Sequence, residues 1–100
     1  MKYDKLIRDK IPEIISANGE RAITHVADNE EYERKLKQKL LEEVEEFMEN
    51  SSPEELADIL EVIDAIFDQF GFDRDEINKI KKDKLEKRGG FKNKLILEES

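Results

Sequence analysis

Apolar residues return at three- and four-residue intervals through two long stretches of this chain, the spacing that lines one face of an α-helix. In the first stretch they are Tyr32, Leu36, Leu40, Leu41, Val44, Phe47 and Met48; in the second, Leu56, Ile59, Leu60, Val62, Ile63, Ile66, Phe67 and Phe70. The boundaries carry their own signals. Asp28 and Glu31 stand at capping-box spacing, so a helix is expected from Asp28 to about Asn50. Ser52, Pro53 and Glu55 then supply an N-cap hydroxyl, a first-turn proline and an N3 acid, and Gly71 stops this second long helix after its last apolar residue. The short connection makes the pair an antiparallel hairpin.

Weaker patterns flank the hairpin. Pro12 opens a short helix that Gly19 can stop, and "RAITHVA", residues 21–27, is rich enough in β-branched residues to read as an extended piece or strand. A basic helix follows Asp73 and ends at "RGG", after which "FKNKLILEE" reads as a short strand able to pair with residues 23–26. The fold class expected is all-α, one domain over residues 1–100, with the helical hairpin at its centre and room for two short terminal strands.

Composition narrows the function. A net charge of -8 argues against a nucleic-acid binder, because phosphate contacts need a basic surface, and suits a protein that carries cations. Cysteine is absent, which excludes disulfides, thiolate chemistry and Cys-based zinc sites. No apolar run approaches the roughly 20 residues of a membrane span, and no signal-peptide core follows "MKYDK"; a cytoplasmic protein without membrane partners is expected.

Each residue of a helix advances about 100° around the axis, and this sorts the acids. With Leu36 at zero, the apolar residues of the first long helix fill an arc from about -40° to 140°; Glu43 falls inside it near -20° and Glu46 on its border near -80°. Glu45 and Glu49 point the other way. With Leu56 at zero, Glu55 lies within the apolar stripe of the second long helix near 260° and Asp58 at its edge near 200°, whereas Glu61, Asp64 and Asp68 fall outside it at about 80° to 140°. Heights agree as well. At about 1.5 Å of rise per residue, Glu46 and Glu55 stand roughly 3 to 7 Å from the turn, and Glu43 and Asp58 roughly 8 to 12 Å. An antiparallel hairpin therefore brings these four carboxylates level. Buried like charges cost several kcal/mol each (order of magnitude) unless compensated, so the placement implies a cation. Oxygen ligands without histidine or cysteine favour Mg²⁺ or Mn²⁺, and Mg²⁺ commonly completes its shell with water and substrate phosphate.

"EEVEE", residues 42–46, followed by "ELAD", residues 55–58, resembles the EExxE and ExxD metal motifs of the all-α nucleoside triphosphate pyrophosphohydrolases, the superfamily of MazG, the dimeric dUTPases and phosphoribosyl-ATP pyrophosphohydrolase. The opening "YDKLIRDKIPEII" and the closing "KRGGF" are similar to its small MazG-like, phosphoribosyl-ATP pyrophosphohydrolase-like branch. The resemblance implies a MazG-like bundle in which Glu43, Glu46, Glu55 and Asp58 hold the metal. Glu42 would be an outer acid that orients water, with Glu42 and Glu46 as the catalytic carboxylates. It implies hydrolysis of a nucleotide to monophosphate and pyrophosphate, with house-cleaning of non-standard nucleotides as the role. Positive charge must also meet the phosphates, and the candidates are Lys5, Arg8 and Lys10 near the start and Lys84 and Arg88 near the end.

Blander readings compete with these. Glu55 can be only a capping residue, the basic fourth helix only a solvated face, and Lys5, Arg8 and Lys10 only surface ion-pair formers. His25 has no second histidine with which to build a site. The alternative to an enzyme is a catalytically idle protein that binds nucleotides or a partner helix through the same acidic bundle. The apolar stripe of the second long helix spans about 160°, wider than one neighbour needs, so a homodimer or dimer of dimers is expected, in contact through Ile59, Ile66 and Phe70.

Overall fold

A computed structural model describes residues 3–100; Met1 and Lys2 lie outside the described residues. Four helices follow one another: α1 (Ile11–Ala17), α2 (Asn29–Glu49), α3 (Pro53–Phe70) and α4 (Arg74–Arg88). Each begins or ends where the local chemistry dictates. The Asp28 carboxylate accepts from the Glu31 amide at 2.8 Å, satisfying one of the orphan N–H groups that open α2. Ser52 does the same for α3, its hydroxyl accepting from the Glu55 amide at 3.3 Å. Gly71 leaves α3 at φ 68°, a left-handed conformation that residues with a Cβ adopt only at a cost.

The chain divides into two compact units, Met1–Phe70 and Gly71–Ser100. In the first, α2 and α3 pack along each other, and the core sits between them. Leu36 is 1% exposed and Val62 8%, and these are the only apolar side chains among the described residues to be buried. The apolar arcs of both helices run past this seam. Leu41 and Met48 on α2, and Leu56 and Leu60 on α3, are exposed. By helical rotation all four lie on the side of the hairpin opposite to Glu46 and Asp58.

The segment before α1 is fastened to α2 by a buried lysine. Lys35 Nζ donates to the Asp4 carbonyl at 2.7 Å and pairs with its carboxylate at 3.1 Å, while Leu6 and Ile7 are half-buried. The ammonium beside it holds the Asp4 carboxyl below the usual carboxylate range, first through the hydrogen bond and then through charge.

The second unit holds α4 and residues 89–100. Asp73 caps α4 at 2.9 Å from the Asp75 amide, and Gly89 at φ 78° ends it. The helix is basic and exposed, with only Ile77 half-buried.

The two short strands expected at residues 21–27 and 91–99 do not form; no strand occurs among the described residues. Strand backbone persists only where a neighbour takes up its N–H and C=O groups, and neither segment gains one. Their apolar side chains, Ile23, Val26, Phe91, Leu95, Ile96 and Leu97, are all exposed. No helix among the described residues is long and apolar enough to cross a membrane.

Candidate metal centre

Two successive Glu-x-x-acid pairs, one on each arm of the hairpin, build the site. On α2, Glu43 and Glu46 are about one turn apart and share a face, as do Glu55 and Asp58 on α3. Because α3 runs back along α2, the four meet, and each offers a carboxylate oxygen within 4.8 Å of those of the others. The burial is graded. Glu43 is buried, Glu55 and Asp58 are half-buried, and Glu46 is exposed. The cluster therefore opens to solvent on the Glu46 side.

Electrostatics describes a site short of positive charge. The Glu43 side chain is 9% exposed, and its Oε1 takes one ion pair, from Lys39 Nζ at 3.3 Å. Its Oε2 is buried and has no hydrogen-bond partner, and the same holds for Glu55 Oε2. A buried acceptor left without a donor costs about 1 to 3 kcal/mol, more when it is ionised, so native proteins rarely leave one without a purpose. The carboxyl of Glu55 is pushed above its ordinary range. Burial is the main cause, followed by the charges of Glu46 and Asp58, then by hydrogen bonding with Glu46 and the charge of Glu43.

A hard divalent cation fits this donor set. Four carboxylates with two buried, unpaired oxygens offer the all-oxygen ligation that Mg²⁺ and Mn²⁺ take, and a positive ion would relieve the repulsion that raises Glu55. Glu55 is also the residue whose amide the Ser52 hydroxyl caps. The capping explanation therefore accounts for its backbone and leaves its carboxylate to the cluster.

Other expected site residues divide into three groups. Arg8 Nη2 lies 2.8 Å from Asp58 Oδ1, and Lys5 Nζ lies 3.3 Å from Glu42 Oε1, so the opening segment borders the acids. Glu42 stands outside the group of four, held between Lys5 and Lys39, the latter at 3.4 Å. Lys10 is exposed at the N-cap of α1, and Lys84 and Arg88 are exposed on α4 in the second unit. Glu61, Asp64 and Asp68 face away from the core, as their rotation on α3 requires. His25 pairs with Glu31 at 2.9 Å and is exposed, as a surface residue would be.

Sequence reasoning missed Lys39 and Lys35. Lys39 precedes Glu43 by four residues, one turn along the same face, so its pairing with an inward-pointing acid was open to inspection. It engages Oε1 and leaves Oε2 without a partner. Lys35 gave no comparable signal, since its partner Asp4 is 31 residues away. Comparison of the chain with models of protein families, with curated proteins and with solved structures yields no match. The class defined by fold and site is thus an all-helical protein with a four-carboxylate cluster able to hold a metal ion.

Proposed function

We propose that this chain is a Mg²⁺-dependent nucleotide pyrophosphohydrolase of the MazG-like, phosphoribosyl-ATP pyrophosphohydrolase-like branch, with Mn²⁺ as a substitute ion. It would act in the cytoplasm to clear non-standard nucleotides. One observation carries the reading: Glu43, Glu46, Glu55 and Asp58 each offer a carboxylate oxygen within 4.8 Å of the others, and Glu43 holds a buried oxygen with no hydrogen-bond partner in the protein. The order of opening segment, EExxE, ExxD and "RGGF" supports it independently.

When bound, a divalent ion supplies Lewis-acid polarisation of phosphoryl oxygens and acidifies a water molecule. The chain's own residues do the rest. Glu43, Glu46, Glu55 and Asp58 would hold the ion. Glu46, the most exposed of the four, would also accept the proton of the attacking water from the solvent side. Glu42, neutralised by Lys5 and Lys39, orients that water without competing for the metal. Water adds to phosphorus, the phosphoanhydride bond breaks, and pyrophosphate leaves with the electron pair of that bond. Lys5 and Arg8 border the cluster and are the cations nearest to where phosphate charge would lie.

The functional unit is a homodimer or a dimer of dimers. Two buried apolar side chains among the described residues make a thin core, and the Leu41, Met48, Leu56 and Leu60 face is apolar on both arms of the hairpin. Ile59, Ile66 and Phe70, expected at this contact, are half-buried within one chain, so the face proposed for a second copy about a two-fold axis is the exposed one of Leu41, Met48, Leu56 and Leu60. Screening the pure protein with Mg²⁺ against a nucleotide panel, scored for pyrophosphate release, tests the activity. Metal binding without turnover on any nucleotide would favour the catalytically idle binding protein instead.

A further inference from the structure

Arg8 occupies an unusual position for a residue expected to bind phosphate, because its guanidinium is already committed to one of the four acids. Its Nη2 pairs with Asp58 Oδ1 at 2.8 Å, yet its side chain is 59% exposed and that of Asp58 40%. Exposed ion pairs are weak and exchange readily with other partners. The backbone behind Arg8 is fastened. The buried Lys35 grips Asp4, Leu6 and Ile7 are half-buried, and the Arg8 carbonyl accepts from the Ile11 amide at 3.1 Å as α1 begins. A firm segment thus carries a loosely held cation at the rim of the cluster.

We propose that Arg8 is an exchangeable counter-ion: it neutralises Asp58 while the cluster lacks a divalent cation, and it turns to substrate phosphate once that carboxylate is taken up by the metal. This rests on the reading of the four acids as a divalent-cation site. The exchange is local, since a guanidinium on a long side chain can leave one oxygen and meet another without backbone movement. Charge sets the direction. With Asp58 engaged, Arg8 has lost that partner, and the multiply charged phosphate chain offers it a bidentate one. Lys39 cannot do the same. It is 17% exposed and shared between Glu43 and Glu42, so little of it is free to reach a ligand. Lys5 holds Glu42, which lies outside the four. Arg8 is therefore the one of these three that is both paired with a ligand of the cluster and exposed enough to leave it.

Competition and phosphate binding predict opposite signs for one substitution, which a purely structural role does not. Mn²⁺ alone is titrated calorimetrically into the wild-type protein, Arg8→Gln and Lys5→Gln, and inorganic pyrophosphate is then titrated into each at saturating Mn²⁺. Arg8→Gln should bind Mn²⁺ about two- to fivefold more tightly, the reciprocal of an exposed ion pair. It should bind pyrophosphate about tenfold or more weakly, the loss of a charge-assisted contact. Lys5→Gln should change Mn²⁺ affinity less than Arg8→Gln does. Should Arg8→Gln bind Mn²⁺ no more tightly than wild type, the exchange is refuted while the metal site stands. A wild-type protein that takes up no Mn²⁺ overturns both.

Discussion

Glu43 is the acid whose removal best separates a metal site from a structural salt bridge, because each of its two oxygens has a distinct situation. Oε1 faces Lys39 at 3.3 Å, and Oε2 is buried without a partner. In the metal-free protein, Glu43→Gln should change stability little, because two opposed terms are removed together. The attraction to Lys39 is lost, and so is the repulsion from Glu46 and Asp58. Unit charges 4.8 Å apart repel by about 1 kcal/mol in water and about 3.5 kcal/mol at an effective dielectric constant of about 20. Lys39 keeps Glu42 as a partner, which limits the damage.

Divalent cations should separate the two proteins sharply. At a hundredfold excess of free Mg²⁺ over its Kd, binding stabilises the native state by about 2.7 kcal/mol, which for a chain of this length raises Tm by roughly 11 to 22 °C. Loss of a ligand costs at least as much affinity as loss of an outer partner, about 10- to 100-fold. At the same Mg²⁺ concentration the variant would then gain only about 0.4 to 1.4 kcal/mol, or roughly 2 to 11 °C. Thermal unfolding followed by circular dichroism across a Mg²⁺ titration measures this directly. The reasoning is wrong if the wild-type Tm does not move, or if Glu43→Gln gains as much as wild type.

Further predictions concern chemistry, pH and assembly. Glu46→Gln and Glu55→Gln should each lower pyrophosphate release by about a hundredfold or more, with Glu61→Gln and Asp64→Asn near wild type in the same assay. The carboxyl of Glu55 is raised above its ordinary value of 4.5 in the folded chain, so its contribution is fully present below that value and is lost as pH rises through the folded pKa. Metal-free Tm should therefore fall over that window, and Glu55→Gln should flatten the fall; an unchanged slope in the variant would assign the effect elsewhere. Asp4 has the opposite sign: its carboxyl is lowered by Lys35, so its stabilisation is present above 3.8 and disappears as pH falls through the folded value, and Asp4→Asn should remove that acid-side loss from the melting profile. Leu60 is 54% exposed within one chain, so Leu60→Glu should leave the helices intact by circular dichroism while sedimentation shows dissociation; a wild-type monomer with full turnover would dismiss the dimer.

Much of the site was legible in the sequence, because helices translate sequence spacing into direction. A period of about 3.6 residues, two capped starts and one short turn sufficed to place Glu43 and Glu46 level with Asp58 and Glu55 and to turn Glu61, Asp64 and Asp68 outward. The helix boundaries followed from Asp28, Ser52, Asp73 and Gly89, whose side chains or backbone conformations act within a few residues of themselves. The strands were not legible. β-branched residues at 21–27 register a local preference, but a strand exists only if a partner edge arrives, and that is decided by the whole chain. Tertiary structure alone also decided which cations meet which acids. Arg8 lies 50 residues from Asp58, and Lys35 lies 31 from Asp4, separations at which no periodicity carries information. Local rules therefore determined the helices and the facing acids, whereas the graded burial of Glu43, Glu55 and Glu46, and the hold of the opening segment on the cluster, required the packed hairpin. Desolvation and long-range ion pairing arise only when distant parts of the chain exclude water together.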